Sequence, residues 1–230
     1  MHPGRVVKSV VGLAALFLAA IAPASAQPAY SWTGFYGVVH LGWGSSPITY
    51  YDPAFPDWYL SHRPHGLIGG GQAGFNYQNG RWVFGVEGDL SGAAITKSVV
   101  DDKPGFAGDV FEADVKWIAT AAGRVGYAWD RWLIYGKGGA ARAHSELRFQ
   151  YVQQAGFGPT KLQSTRTGWM AGGGVEYAFR PGWSLKLEYN YVDFGRSGLV
   201  TFLPLPDGFV ATFSQRLHLI KFGLNYRFWT

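Results

Sequence analysis

The connections between the strand-like segments of this chain constrain its fold more than any segment does. Eight segments alternate apolar and polar residues with a period of two, and the links joining them alternate between short and long. The short links are Asn79-Gly80-Arg81, Asp130-Arg131 and Arg180-Pro181-Gly182, which have the composition and length of hairpin turns. The long links cover about 45–66, 95–111, 144–164 and 196–214. Strict alternation puts every tight turn at one end of the strands and every long loop at the other. That layout predicts an all-β fold: an eight-stranded antiparallel up-and-down barrel whose two ends meet different surroundings.

The predicted strands are 34–44, 67–78, one beginning at Trp82, 112–128, one beginning at Trp132, 165–179, 183–195 and 216–228. In 183–195, Trp183, Leu185, Leu187, Tyr189 and Tyr191 face one way, while Ser184, Lys186, Glu188 and Asn190 face the other. Segment 112–128 sets Val115, Trp117, Ala119, Val125 and Tyr127 against Lys116, Thr120 and Arg124. No helix is expected after the first 26 residues. Those residues form an export signal: Arg5 and Lys8, then an apolar run from Val10 to Ala22, then Ala24-Ser25-Ala26. The domain organisation is therefore a signal peptide, 1–26, and a barrel, 27–230.

Loss of Arg5 and Lys8 leaves 18 basic against 15 acidic residues, a balance that offers nothing to a nucleic acid partner. The chain has no cysteine, so disulfides do not stabilise it, although export leads to an oxidising compartment. Its 33 glycines, 10 Trp, 13 Tyr and 16 Phe suit strands and close packing. Trp82, Trp132 and Trp183 each open a strand directly after a tight turn, and Trp129 and Phe228 fall at the same end. Such rings prefer the boundary between apolar and aqueous media, so these five residues read as an aromatic girdle.

With the apolar face turned to lipid, the inward positions become Glu87, Asp89, Lys116, Arg124, Lys137, Glu176, Lys186, Glu188 and Lys221. An eight-stranded barrel has an interior just filled by side chains, so these charges must pair within it. The expectation is a transmembrane barrel with a polar network in its lumen. The alternative is a soluble secreted barrel of lipocalin type with the same charges outside.

Catalytic chemistry finds little support. The histidines after the signal are His40, His62, His65, His144 and His218, and the one compact cluster is His144-Ser145-Glu146. Neighbours in a strand point to opposite faces, so His144 and Ser145 do not meet as base and nucleophile if the strand from Trp132 continues that far. His62 and His65, in the first long link, lack further ligands for a metal. The glycine runs 69–71 and 172–174 precede no helix, so no phosphate-cradling cofactor loop is expected. Loop segments 48–60 and 198–213 are aromatic and proline-rich, and read as folding over the barrel mouth or extending its wall. The acidic group Asp101, Asp102, Asp109, Glu112 and Asp114 reads as solvated, or bridged to lipopolysaccharide by divalent ions.

The stretches "WTGFYGVVHLGWG" (32–44) and "FGLNYRF" (222–228) resemble the small outer-membrane β-barrel "porin family" of Gram-negative surface antigens, related in architecture to the OmpA and OmpX barrels. That resemblance implies an abundant outer-membrane protein, inserted by the barrel-assembly machinery through its aromatic-ended last strand, with outer-membrane lipid and lipopolysaccharide as its surroundings. The function expected is non-enzymatic: support of the envelope and display of surface loops, with any surface ligand unidentified. A narrow solute channel is the alternative, followed by a lipid A-modifying enzyme.

Overall fold

The alternating segments pair as antiparallel strands in a computed structural model that describes residues 30–51, 59–100, 110–150, 160–202 and 209–228. The predicted export signal, residues 52–58, 101–109, 151–159 and 203–208, and Trp229-Thr230 lie outside the described residues. The strands are β1 (Gly34–Ser45), β2 (Ile48–Tyr51), β3 (Tyr59–His62), β4 (His65–Asn79), β5 (Trp82–Val100), β6 (Val110–Trp129), β7 (Trp132–Gln150), β8 (Thr160–Arg180), β9 (Trp183–Phe202) and β10 (Phe209–Arg227). From β4 to β10 each strand pairs with the next, β1 pairs with β4, and β10 returns to β1 from Arg227↔Tyr36 to His218↔Ser45, closing the sheet into a barrel.

β1 and β2 run end to end along β10, and β3 and β4 run end to end beside them. Pro47 and Pro64 interrupt these two rods, because proline has no N–H to give the ladder. The chain is tied across the interruption by the Ser46 amide, which donates to the Pro64 carbonyl at 2.8 Å. The ten segments therefore make eight walls. The tight turns use left-handed backbone at Gly80, Asp130 and Gly182, with φ of 60°, 52° and 75°. Pro181-Gly182 has the residue order of a type II turn, in which the second central position requires positive φ.

The long links are shorter than the alternation indicates, because strand continues through 95–100, 110–111, 144–150, 160–164, 196–202 and 209–214. His62 and His65 accordingly stand in β3 and β4, not in a loop. β5 to β10 are 19 to 21 residues long, whereas about 9–11 tilted residues cross an apolar layer. At a tilt near 40°, twenty residues rise about 50 Å, roughly twice the ~25 Å apolar band of such barrels. The excess lies at the end away from the tight turns. There the exposed residues Thr96, Arg148, Gln163 and Thr165 are polar, so the apolar outer row that marks the strands lower down does not extend through them.

Candidate functional site: the sealed lumen and the outer face

Inward-facing residues form three layers. Nearest the tight turns is an apolar plug of Val83, Ala128, Leu133, Tyr135 and Ala178, packed with Trp32 from the segment before β1. Trp32 is buried, and its amide donates to Gln78 Oε1 at 2.6 Å. Tyr30 stacks edge-on against it, and the Arg227 guanidinium lies 4.3 Å over the Tyr30 ring.

The middle layer holds the charges. Eight of the nine residues expected in the lumen are buried there: Glu87, Asp89, Arg124, Lys137, Glu176, Lys186, Glu188 and Lys221. Four are acids and four are bases. Glu188 accepts from Lys137 at 2.8 Å, Tyr135 at 2.7 Å, Asn190 at 2.8 Å and Gln72 at 3.3 Å, and lies 3.1 Å from Lys186. Glu87 pairs with Lys137 and with Arg124 at 3.3 Å, and accepts from the Tyr36 hydroxyl at 2.9 Å. Arg124 also reaches Glu176 at 3.1 Å and sits 4.3 Å over the Tyr135 ring. Asp89 forms a second centre, with Lys221 at 2.8 Å, the Ser91 hydroxyl at 2.8 Å and His40 Nε2 at 2.8 Å. Removing one member of such a network leaves an uncompensated charge away from water, which costs about 3–5 kcal/mol.

Lys116 does not join this layer. A bulge between Val115 and Trp117 in the β6–β7 pairing inserts an extra residue and breaks the phase of the alternation. Val115, expected outside, is buried at 3% exposure; Lys116, expected inside, has a side chain 41% exposed and pairs with Asp114 at 3.0 Å. Asp114 is itself buried, not solvated as its acidic neighbourhood indicates. Glu112 lies 3.8 Å from Arg148.

Above the charges is a second apolar layer of Ile68, Ile95, Val115, Ile118, Met170, Val192, Phe194, Leu217 and Leu219, with Ala122, Ala141 and Ala143 between them. It was not anticipated. Leu217 and Leu219 share the parity of Lys221, so the inward row of β10 changes from charged to apolar without a break in period. At β1 the layer meets Gly44, where a Cβ would run into Ile95. The charged layer is thus enclosed between two apolar ones.

The outer face is apolar across the turn-side half: Phe35, Val39, Leu41, Phe84, Val86, Leu90, Leu187 and Phe222 are among its exposed side chains. Of the five expected girdle residues, Trp82, Trp129, Trp132 and Phe228 are exposed at the turn end, and Trp183 is half-buried against Tyr226 at 4.8 Å. Tyr127 and Tyr177 join them, paired with Trp82 and Trp132. A second aromatic row lies farther up. Trp43 packs on His65, Trp117 stacks on His144 at 6.0 Å, and Trp169 meets Tyr191 at 5.5 Å. Ten residues separate Trp117 from Tyr127 and Trp169 from Phe179. With the same rise and tilt, that is about 25 Å, close to the hydrocarbon band between the girdles of a membrane barrel.

His144 and Ser145 lie on opposite faces. His144 stacks outside on Trp117, whereas Ser145 accepts from Gln215 at 3.5 Å.

The sequence matches the family model described as the outer membrane protein β-barrel domain over residues 12–228. Among relatives, it is 34% identical over 209 residues to the 31 kDa outer-membrane immunogenic protein of Brucella melitensis, covering 86% of this chain and 85% of the relative. It is 30% identical to a 22 kDa outer membrane protein of Rhizobium leguminosarum bv. viciae, covering 74% of this chain and 68% of that one. Among solved structures, the outer membrane protein OprG of Pseudomonas aeruginosa aligns over 85% of this chain and 97% of its own, with a TM-score of 0.52 and 12% identity. The Escherichia coli outer membrane protease OmpT aligns over 85% and 97%, with a TM-score of 0.51 and 9% identity, a likeness of fold alone.

Proposed function

The chain belongs to the outer membrane protein β-barrel family and is a protein of the Gram-negative outer membrane, and we propose that it acts there as a closed, non-enzymatic barrel. In this reading it supports the envelope and carries its extended strands and loops above the cell surface. The observation that carries the proposal is the enclosure of the charged layer between two apolar layers. A hydrated ion crossing the lumen would have to displace Ile95, Ile118, Met170, Leu217 and Leu219, and then break paired charges. Tyr30 and Trp32 close the other end. The separation of His144 from Ser145 onto opposite faces supports the non-enzymatic reading.

The two aromatic rows bound the hydrocarbon layer, with lipopolysaccharide around the upper row. Insertion proceeds through the barrel-assembly machinery, which meets the outward Tyr226 and Phe228 of the closing strand. Purified protein in planar bilayers tests the closed lumen: the reading expects no unitary conductance steps, and steady ion-conducting steps would refute it. Envelope support is tested by deletion. Loss of the protein should raise sensitivity to detergent and chelator, and its restored expression should reverse this; a deletion strain as resistant as the parent would refute the role.

A further inference from the structure

Arg142 is a cation on the apolar outer face that has no ion-pair partner among the described residues. Its neighbours in β7, Ala141 and Ala143, are buried in the lumen at 2% and 1% exposure, so the guanidinium points outward. It pairs in register with Ala119 of β6 and Thr167 of β8. Trp117, on β6, pairs with His144 two residues above it, and Trp169, on β8, pairs with Ala140 two residues below. The arginine therefore stands in the upper aromatic row, between two tryptophans on adjacent strands. His144 Nδ1 and Thr165 Oγ1 meet at 3.0 Å just above it, and the Lys116 ammonium projects from the bulge next to Trp117. Four acids lie nearby among the described residues, and each has a cation within reach: Asp114 pairs with Lys116, Glu112 and Glu146 with Arg148, and Asp193, opposite Trp169, with Arg216.

We propose that the outward pair Arg142 and His144, between Trp117 and Trp169, binds a phosphate of the phosphorylated glucosamine headgroup of lipid A. The proposal rests on the outer-membrane reading above. A charged guanidinium at the edge of hydrocarbon is tolerated when it meets an anion at the interface, and its fork fits phosphate oxygens in a bidentate manner. The flanking indoles offer faces to sugar rings and N–H groups to the interface. The surface below the pair suits a lipid with many acyl chains. Ala121 and Gly123 of β6, Gly136, Gly138 and Ala140 of β7, and Ala171 of β8 form a shallow trough. Its walls are Val86 and Leu90 of β5 on one side and Leu187 and Tyr189 of β9 on the other. Four inter-strand steps make it about 19 Å wide. The barrel's own packing does not demand glycine there: a Cβ at Gly123 would meet nothing within 4 Å, and at Gly136 and Gly138 only a carbonyl oxygen at 3.9 and 3.6 Å. A second copy of the chain docked on this trough about a two-fold axis would bring two unpaired Arg142 side chains together, which favours an anionic lipid as occupant.

The test uses the full-length protein folded into phosphatidylcholine nanodiscs containing a small fraction of lipid A, or of lipid A with both phosphates removed. Retained lipid A per barrel is read by native mass spectrometry, and heat-modifiable migration on gels checks folding. Wild type should retain the phosphorylated form about tenfold better than the dephosphorylated form, and Arg142→Ala should erase that preference. Arg142→Lys should keep part of it, and Arg131→Ala, at the tight-turn end, all of it. Gly138→Leu should lower retention of both forms alike. Equal retention of both forms by wild type, or an unchanged preference in Arg142→Ala, would overturn the site. Efficient crosslinking of Gly138→Cys into dimers without retained lipid A would overturn it in favour of a second copy. Wild-type protein that never acquires heat-modifiable migration would overturn the membrane reading itself.

Discussion

Replacement of Glu188 by Gln tests the charged layer most severely. Glu188, Glu87 and Glu176 face Arg124, Lys137 and Lys186, and Glu188 takes two of the cations and three neutral donors. Glutamine keeps the shape but leaves three cations against two carboxylates, with no water layer to absorb the excess. Breaking a buried pair from one side costs about 3–5 kcal/mol. With a urea m-value of about 2–3 kcal/mol/M, the unfolding midpoint should fall by about 1–2.5 M. Tryptophan emission in lipid vesicles reports the transition. Lys137→Met should cost a similar amount alone. Combined with Glu188→Gln it restores neutrality, so the double variant should fall short of the sum by about 1–3 kcal/mol. Single variants that each cost under about 1 kcal/mol and simply add would mean that water solvates these charges. The lumen would then be open to water.

Two further outcomes follow from the same geometry. Leu187→Arg places a charge on the outer face between the two aromatic rows and should destabilise the folded barrel by about 2–4 kcal/mol, whereas Thr165→Arg, above the upper row, should cost under about 1 kcal/mol; equal effects in vesicle unfolding would contradict the placement of the hydrocarbon band. Asp114 lies above the upper row, where burial alone would raise its pKa, but hydrogen bonds from Thr96 and Lys116 and the lysine charge outweigh burial and hold it below the ordinary 3.8. Its stabilisation is present above that value and lost as pH falls through the folded pKa, so Asp114→Asn should lower the melting temperature at neutral pH and match wild type in strong acid; a gap that persists in acid would argue against it.

Strand number, closure and the sorting of faces are legible in the sequence wherever lipid lies on one side and charge on the other. Lys186, Glu188 and Lys221 alternate with Leu187, Tyr189 and Phe222 at the period of a strand with different media on its two faces. Two physical effects hide the rest. Above the upper aromatic row the exposed residues Thr96, Gln163 and Thr165 are polar, so the lipid-facing apolar row that marks the strands lower down is lost there. Bulges change the phase without changing composition, which is why Lys116 and Val115 exchange faces. The upper apolar layer was missed for a different reason: period two identifies a face but not its medium, and Leu217, Leu219 and Lys221 share one face in different layers. Trp43, Trp117 and Trp169 were visible as residues, but their common height depends on register, which no single segment contains.

The central claim is that hydrocarbon touches the outer face while the charges are enclosed. The chain has no cysteine, so single Cys substitutions can carry spin labels without background. In bilayers, collision rates with oxygen and with a water-soluble nickel chelate should be measured at Leu187, Phe222, Val39 and Leu90, with Thr96 and Gln163 as references. High oxygen and low nickel contact at the first four, with the reverse at the references, is the predicted result; nickel contact at Leu187 and Phe222 equal to that at Gln163 would contradict the account.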